Sequence, residues 1–564
     1  MSSPPTLPAR AVLWTVFAAV FVLAFANLGS RALVHPDEGR YAEIAREMAA
    51  TNDWVTPRLN GLKYFEKPPF QYWVTAAAYK AFGVHEWTAR LWPALAGFLA
   101  VVAVGYAGRA LGGPALGAFA GLALAGTLWH AGMAQIVSLD AGLAFFLALT
   151  FSAVAIAQRP STRAARRRAW MWVAWGAMAG ATLSKGPIGL VLPAGALAVY
   201  AIVNRDFALL RRLHLASGLA LFLVLVAPWF IAVTIANDGF LHFFFVHEHW
   251  QRFLTEEHQR TGPLYYYVPI AIAGSLPWLV VLAFGARHAW KDGGAPKGVF
   301  SWRRLSLVWA GVVFVFFSLS GSKLPSYILP MFAPLALVAA DLLLTQQPRT
   351  LARQALPGAV VVSIVAVALL VGYDRIVERL ADGPQPVEIL AAYGPWLKAA
   401  IVVAAVGAIG AVAAFRRAEW DPTARFWGTA SLALATLVAV VLAVGGFEAF
   451  SPTRSTSAIL RAAQSVAPFA PAAPVYQIGM YDQTVPFYLR RTTTLVAYRD
   501  ELDFGITAEP GRQIPTVAEW IDKWRAHDEG YAVLPPPEFA RLEAAGVPMR
   551  VLARDARRVI VSRK

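Results

Sequence analysis

Two short runs, His35-Pro36-Asp37-Glu38-Gly39-Arg40-Tyr41 and Tyr64-Phe65-Glu66-Lys67-Pro68-Pro69, gather charged side chains in a strongly apolar chain, close behind its first apolar span. Acids and bases at the mouth of a membrane helix lose hydration if they face lipid, so they persist there when they serve a cavity, a substrate or a structural pairing. The chemistry they offer is that of an active-site floor at a membrane surface. Asp140 adds a third carboxylate at the start of a later span. Asp37 and Asp140 could each cap the helix they open, but two helix starts on one side can also point acids into one cavity. Glu66 and Lys67 set an acid beside a base in a stretch that Pro68 and Pro69 stiffen; the alternative is a surface ion pair, worth little. The 237–262 loop supplies His242, His247, His249 and Arg252 among aromatics, and the Gly321 to Tyr327 stretch supplies Lys323 and Tyr327. Lys, Arg and a Tyr hydroxyl together give the charges and directed donors that a buried phosphate requires. Three histidines in one loop raise a metal site as an alternative, although their spacing is not that of a helix-borne zinc motif.

These groups must be held by membrane helices. Of 564 residues 57% are hydrophobic and only 15% charged, with a mean hydropathy of +0.51, a combination that excludes an ordinary soluble domain. Apolar windows that match a hydrocarbon core of about 30 Å fall near 11–33, 86–109, 112–132, 138–158, 169–184, 186–203, 214–236, 263–286, 304–320, 325–344, 357–373, 395–415 and 425–446, about thirteen helices. The pair at 169–203 is separated only by Ser184-Lys185-Gly186-Pro187, which could be a break in one re-entrant element. The first span follows a polar Met1 to Arg10 without a small-residue cleavage site, so it is expected to be retained. Tyr41, Ile44, Ala45 and Met48, and then Phe70, Trp73, Val74, Ala77 and Ala78, recur at helical spacing and predict short interfacial helices within 34–85. With no cysteine, neither disulfides nor thiolate metal sites enter.

Charge assigns the sides. Lys+Arg 50 against Asp+Glu 34 gives a formal net charge of +16, and the excess collects in loops at Arg159 to Arg168, Arg205 to Arg212, Arg287 to Arg304, Arg349 to Arg353 and Arg416-Arg417. The positive-inside rule makes these cytoplasmic, so the 34–85 segment, Asp140, Lys185, the 237–262 loop, Tyr327 and the 374–394 loop are expected outside. No nucleic-acid motif accompanies the positive charge, and no internal repeat of the inverted-repeat transporter kind is present. From about residue 447 the charge content rises and Pro-rich connections appear. Strand-like runs at 475–478, 494–497, 531–534 and 559–561 alternate with helical patterns near 455–467, 516–526 and 537–545. The chain therefore reads as a polytopic α-helical membrane domain, 1–446, followed by a small soluble α/β domain, 447–564, on the outer side.

The span architecture, the acid pair after the first helix, the Tyr64 to Pro69 run, Leu183-Ser184-Lys185-Gly186-Pro187 and Lys323-Leu324-Pro325-Ser326-Tyr327 resemble the bacterial aminoarabinose transferases of lipid A. More broadly they resemble the protein O-mannosyltransferase-like C-type glycosyltransferases, and the likeness covers essentially the whole chain. The resemblance implies transfer of 4-amino-4-deoxy-L-arabinose from undecaprenyl phosphate to a phosphate of lipid A at the periplasmic face of the inner membrane, an inverting pentosyl transfer that protects against polymyxin. It implies catalytic roles for Asp37, Asp140, Arg40 and Lys185, and a hold on the carrier phosphate by Lys67, Arg252 and Tyr327. A divalent metal, zinc or another, would sit at Glu66 and His247, with no nucleotide cofactor and a monomeric chain in contact with membrane lipids. A transferase of another sugar or of a hydroxyl acceptor is the nearest alternative reading. A flippase for polyprenyl lipids is a further one, but transport predicts ionisable groups at the membrane midplane, whereas these gather at one face.

Overall fold

The computed structural model describes residues 6–251, 262–291, 296–380 and 386–564, the side chains of 249–251 excepted. The chain is a multi-pass membrane protein. Among the described residues, eight helices are long and apolar enough to cross a bilayer, or up to nine if the pair Leu264–Gly274 and Leu279–Lys291, bent by 109°, is one span. Shorter apolar helices at Arg10–Ala24, Pro114–Ala125 and Ile188–Asn204, and the helix Ala164–Lys185, fall on the remaining windows of the sequence. These segments are helical because backbone amides in hydrocarbon must be satisfied within the segment. Ala164–Lys185 stops at Gly186, whose φ of +82° few other residues adopt. The next helix begins at Ile188, so the 169–203 stretch forms two helices.

By its contacts the chain divides into two compact units, Met1–Asn27 with Trp92–Gly446, and Leu28–Leu91 with Phe447–Lys564. The second unit thus includes the 28–91 segment that the sequence reading grouped with the spans. Within the first, burial ranks the helices: 83% of the apolar window is enclosed in Leu139–Ala157 and in Pro325–Thr345, against 11% in Pro348–Arg379. Small residues make the close packing of Leu139–Ala157 affordable, with Ala141, Gly142, Ala144, Ala148, Ser152 and Ala153 all buried. Asp140 and Tyr327 are therefore carried by the two most enclosed elements.

The second unit is built on a six-stranded sheet in the order β5-β4-β3-β6-β8-β7. Its strands are β3 (Val475–Ile478), β4 (Thr494–Val496), β5 (Gln513–Ile514), β6 (Tyr531–Leu534), β7 (Arg550–Arg554) and β8 (Val559–Ser562). β3 pairs in parallel with β4 and β6, and all its residues are buried, as central strands covered on both faces require. Trp520, Trp524, Phe539 and Leu542 pack one face, Ile459, Leu460 and Ala463 the other. The 28–91 part contributes the helices Asp37–Thr51 and Phe70–Phe82 at the two stretches where helical spacing predicts them. Between them lies a hairpin of β1 (Arg58–Leu59) and β2 (Leu62–Lys63). Its two-residue turn, Asn60-Gly61, has positive φ at both positions, the backbone that Asn-Gly favours. Asn60 then docks on Thr493, donating to its carbonyl at 2.8 Å and accepting from its amide at 2.7 Å. The predicted apolar stripe of Phe70–Phe82 is its more open side, while Gln71, Tyr72, Thr75, Ala76 and Tyr79 face inward.

Candidate active site

Asp37 opens the helix Asp37–Thr51 at its first position, behind Pro36, and no side-chain cap bond is made there. Its carboxylate, about half exposed, accepts from Arg40 Nη1 at 2.8 Å. Arg40 is almost enclosed, and its Nε lies 2.6 Å from a carboxylate oxygen of Glu501. Burial raises Glu501 above the usual carboxylate range against the pull of Arg40. Arg40 thus bridges two acids, a buried one and an open one, and leaves the open carboxylate oriented but accessible.

The neighbouring acid has another fate. Glu38 is gripped by two guanidinium groups, Arg31 at 2.9 and 3.2 Å and Arg90 at 2.8 and 3.0 Å. Arg90 also donates to the carbonyls of Leu28, Arg31 and Ala32. Burial alone would raise the Glu38 carboxyl, but Arg31 and Arg90 overcome it and hold it well below the usual range. Glu38 fixes the approach to the helix, so Asp37 need not.

Beside Asp37 lies a set of tyrosines. Tyr41 and Tyr72 have ring centroids 6.2 Å apart, and the Arg40 guanidinium lies 5.9 Å from the Tyr41 centroid. The hydroxyls of Tyr64, Tyr72 and Tyr481 are buried without a hydrogen-bond partner. Glu66 acts electrostatically on Arg40, Tyr41, Tyr64 and Tyr72, and Lys67 donates to the Glu66 carbonyl at 2.7 Å. Carboxylates, a guanidinium and unsatisfied hydroxyls among aromatic rings form an environment suited to a polyhydroxylated or amino sugar.

In the first unit, Asp140 lies in the first turn of Leu139–Ala157, again with no side-chain cap bond. It forms an ion pair with Lys185, the last residue of its helix. The Lys185 ammonium sits 4.4 Å from the ring centroid of Tyr327, so Asp140, Lys185 and Tyr327 meet. Lys323 is buried and tied to the carbonyls of Ser318 and Ser320 at 2.9 and 2.6 Å, which fixes the loop that presents Tyr327. His247 stacks on Phe243 and lies 3.7 Å from Glu248.

The residues singled out by sequence divide between the units: Asp37, Arg40, Glu66 and Lys67 in the second, Asp140, Lys185, His247 and Tyr327 in the first. Arg252 lies outside the described residues. Glu66 and His247 supply only two donors, one in each unit, and among the described residues no group of three His, Cys, Asp or Glu side chains could hold a metal. Glu501, Tyr481, Arg31 and Arg90 are the residues that sequence reading passed over. Only the charge of the Arg499-Asp500-Glu501 run offered a signal, and it resembles any solvated turn.

Two family models match the chain. The one described as dolichyl-phosphate-mannose-protein mannosyltransferase covers residues 11–249, and the one described as aminoarabinose transferase C-terminal domain covers 462–563. The crystal structure of ArnT from Cupriavidus metallidurans bound to undecaprenyl phosphate superposes with a TM-score of 0.90 and 38% identity, covering 99% of both chains. The chain belongs to the ArnT family of aminoarabinose transferases. Its helical spans and mixed-sheet domain are those of this family's fold. A curated relative, the undecaprenyl phosphate-alpha-4-amino-4-deoxy-L-arabinose arabinosyl transferase of Edwardsiella ictaluri, is 34% identical over 330 residues; the matched stretch spans 58% of the length of each. The oligosaccharyltransferase of Archaeoglobus fulgidus, at 13% identity and a TM-score of 0.50 over 93% of this chain and 70% of its own, shares the fold.

Proposed function

We propose that this protein transfers 4-amino-4-deoxy-L-arabinose from undecaprenyl phosphate to a phosphate of lipid A, at the periplasmic face of the bacterial inner membrane. The observation that carries the reading is the likeness, over 99% of both chains, to an ArnT that binds undecaprenyl phosphate. The name of the Edwardsiella relative supports the sugar. The charge alternation of the loops supports the orientation, with residues 447–564 on the periplasmic side.

The reaction forms a bond from a lipid A phosphate oxygen to the anomeric carbon and breaks the bond from that carbon to the carrier phosphate, which leaves with the electron pair. Attack opposite the leaving group inverts the configuration. The phosphate nucleophile is already an anion at neutral pH, so no strong general base is required. Asp37 orients the donor sugar, through its amine or a hydroxyl, and stabilises positive charge as the oxocarbenium-like centre develops. Arg40 holds Asp37 in place, and Asp140, held by Lys185, is assigned a catalytic role of its own. Lys67, Arg252 and Tyr327 take the carrier phosphate with a point charge, a planar fork and a hydroxyl. Glu66 and His247 are the residues that would hold a divalent metal, and no step is assigned to one.

The test is transfer by the purified protein in nanodiscs, with synthetic undecaprenyl-phosphate aminoarabinose as donor and lipid A as acceptor. Mass spectrometry should find lipid A heavier by one aminoarabinose. Donor consumption without that increment, or transfer of a different sugar in preference, would overturn the assignment.

A further inference from the structure

Arg40 divides its guanidinium between Asp37 and Glu501, so whatever fixes Glu501 also fixes the angle at which Asp37 is presented. One oxygen of Glu501 faces Arg40, and the other accepts from the side-chain amide of Gln483. Gln483 is itself enclosed, with 5% of its surface exposed. The other half of its amide, Oε1, is buried without a hydrogen-bond partner. A buried acceptor left unpaired costs stability, so the amide is a poor choice for packing alone, and its use lies in the donor it turns toward Glu501.

The backbone of Gln483 is held by its neighbours on both sides. The Asp482 amide donates to Gln477 Oε1 at 2.7 Å, and Gln477 lies in the central strand β3. The Asp482 carboxylate accepts from the Thr484 hydroxyl at 2.6 Å and its amide at 3.0 Å, and from Arg558, next to β8, at 2.8 Å. Thr484 and Thr456 share a further hydrogen bond of 2.7 Å between their hydroxyls. Against this anchored segment lies the first turn of Asp37–Thr51. A Cβ at Gly39 would come to 2.8 Å from Thr484 Cγ2 and 3.0 Å from the Gln483 carbonyl carbon, so the turn between Asp37 and Arg40 rests directly on residues 483–484, an approach that glycine permits.

The geometry points to Gln483 as a positioning residue for the transfer reaction: anchored to the sheet, it fixes Glu501, which fixes Arg40, which aims Asp37 at the donor sugar. Without the Gln483 donor the Glu501 carboxylate turns about its last bond, and the guanidinium edge that faces it turns as well. A displacement of about 1 Å at a group that must meet the reacting centre slows turnover while the contacts that bind the donor stay in place. The C-terminal sheet thus acts on the chemistry through a series of side chains and without touching substrate. This deepens the function proposed above and rests on it for the role of Asp37.

The experiment compares Gln483→Met and Gln483→Asn in the full-length purified protein, the first removing the amide at nearly constant volume and the second withdrawing it by one methylene. Each should lower kcat by about tenfold while the donor KM stays within about twofold of the parent's. Gln483→Met should also melt close to the parent, since the unpaired acceptor leaves together with the donor. In a Glu501→Gln background Gln483→Met should change kcat by less than about twofold, because the two residues act in series. A second full loss in that background overturns the proposal, as does parental kcat in both single variants or a loss confined to KM. The crystal structure of either variant should show the Arg40–Asp37 contact, 2.8 Å in the parent, opened beyond about 3.5 Å; an unchanged contact overturns the proposal whatever the turnover. Absence of aminoarabinose transfer by the parent would instead count against the proposed function, and the crystal structure would still decide the role of Gln483.

Discussion

The first turns of the helices Asp37–Thr51 and Leu139–Ala157 both carry a carboxylate, and neither uses it as a cap. In the Asp37 turn two acids stand side by side, and the structural task falls to Glu38, clasped by Arg31 and Arg90 with about 1% of its side chain exposed. Asp37 keeps about half of its surface and one restraint, Arg40. In the Asp140 turn there is a single acid, largely enclosed and paired with Lys185. In the mechanism we propose, the pair Asp37-Glu38 separates holding from reacting. In that mechanism Asp140 does both, and any ligand that uses it competes with Lys185.

Substitutions can break this contrast. The largest effect is expected from Glu38→Ala, which leaves two guanidinium groups buried without their acid, at a cost of about 3–5 kcal/mol. The purified protein should melt far lower or fail to accumulate, whereas Asp37→Ala should melt as the parent does. Next comes Asp37→Asn, which should keep the melting temperature and lower turnover at least about a hundredfold, roughly 3 kcal/mol of transition-state stabilisation. Near-parental turnover would remove Asp37 from the chemistry. For the other turn, Asp140→Asn should lower stability and turnover together. The double variant Asp140→Asn with Lys185→Met should regain stability, since no unpaired charge remains, without regaining turnover; recovery of both would make the pair purely structural.

The smallest effect sharpens the comparison further along the Asp37 helix. Burial, and then the neighbouring Glu43, raise the Glu47 carboxyl well above its ordinary range, and Arg46 grips Glu43 with two bonds of 2.6 Å. A carboxyl raised by folding contributes stability that is fully present below its unfolded pKa and is lost as pH rises through the folded value. Glu47→Gln should therefore raise the melting temperature by roughly 1–2 °C at pH 8 and leave it unchanged near pH 4. A uniform change across that range would mean that Glu47 does not titrate differently on folding.

Hydropathy located the apolar helices, of which eight, or nine with the bent pair, are long enough to span among the described residues, and alternation of helix and strand located the C-terminal sheet from runs such as Val475–Ile478 and Tyr531–Leu534. The short edge strands Gln513–Ile514 and Arg550–Arg554 were not legible, since Gln513, Arg550 and Arg554 carry no apolar alternation. The acid pair was legible by its contrast with the surrounding apolar chain. The division of labour inside it was not, because Arg90 lies 52 residues from Glu38 and Glu501 comes from the far end of the chain. Sequence likewise offers no sign that Asn60 is matched to Thr493, 433 residues on, and that match explains why residues 28–91 belong with the C-terminal sheet.

This discontinuity has a consequence for biogenesis. The Asp37 helix and the Asn60-Gly61 hairpin emerge early in synthesis, yet Thr493, Glu501 and Glu509, to which this part of the chain bonds, are translated only after the last span. Until then Arg40, Asn60 and Arg58 must wait without these partners on a nascent chain, a long loop closed late. A chain that stalls before residue 493 would display those groups without their late partners, and a membrane protease would meet complete spans together with an unfinished second unit.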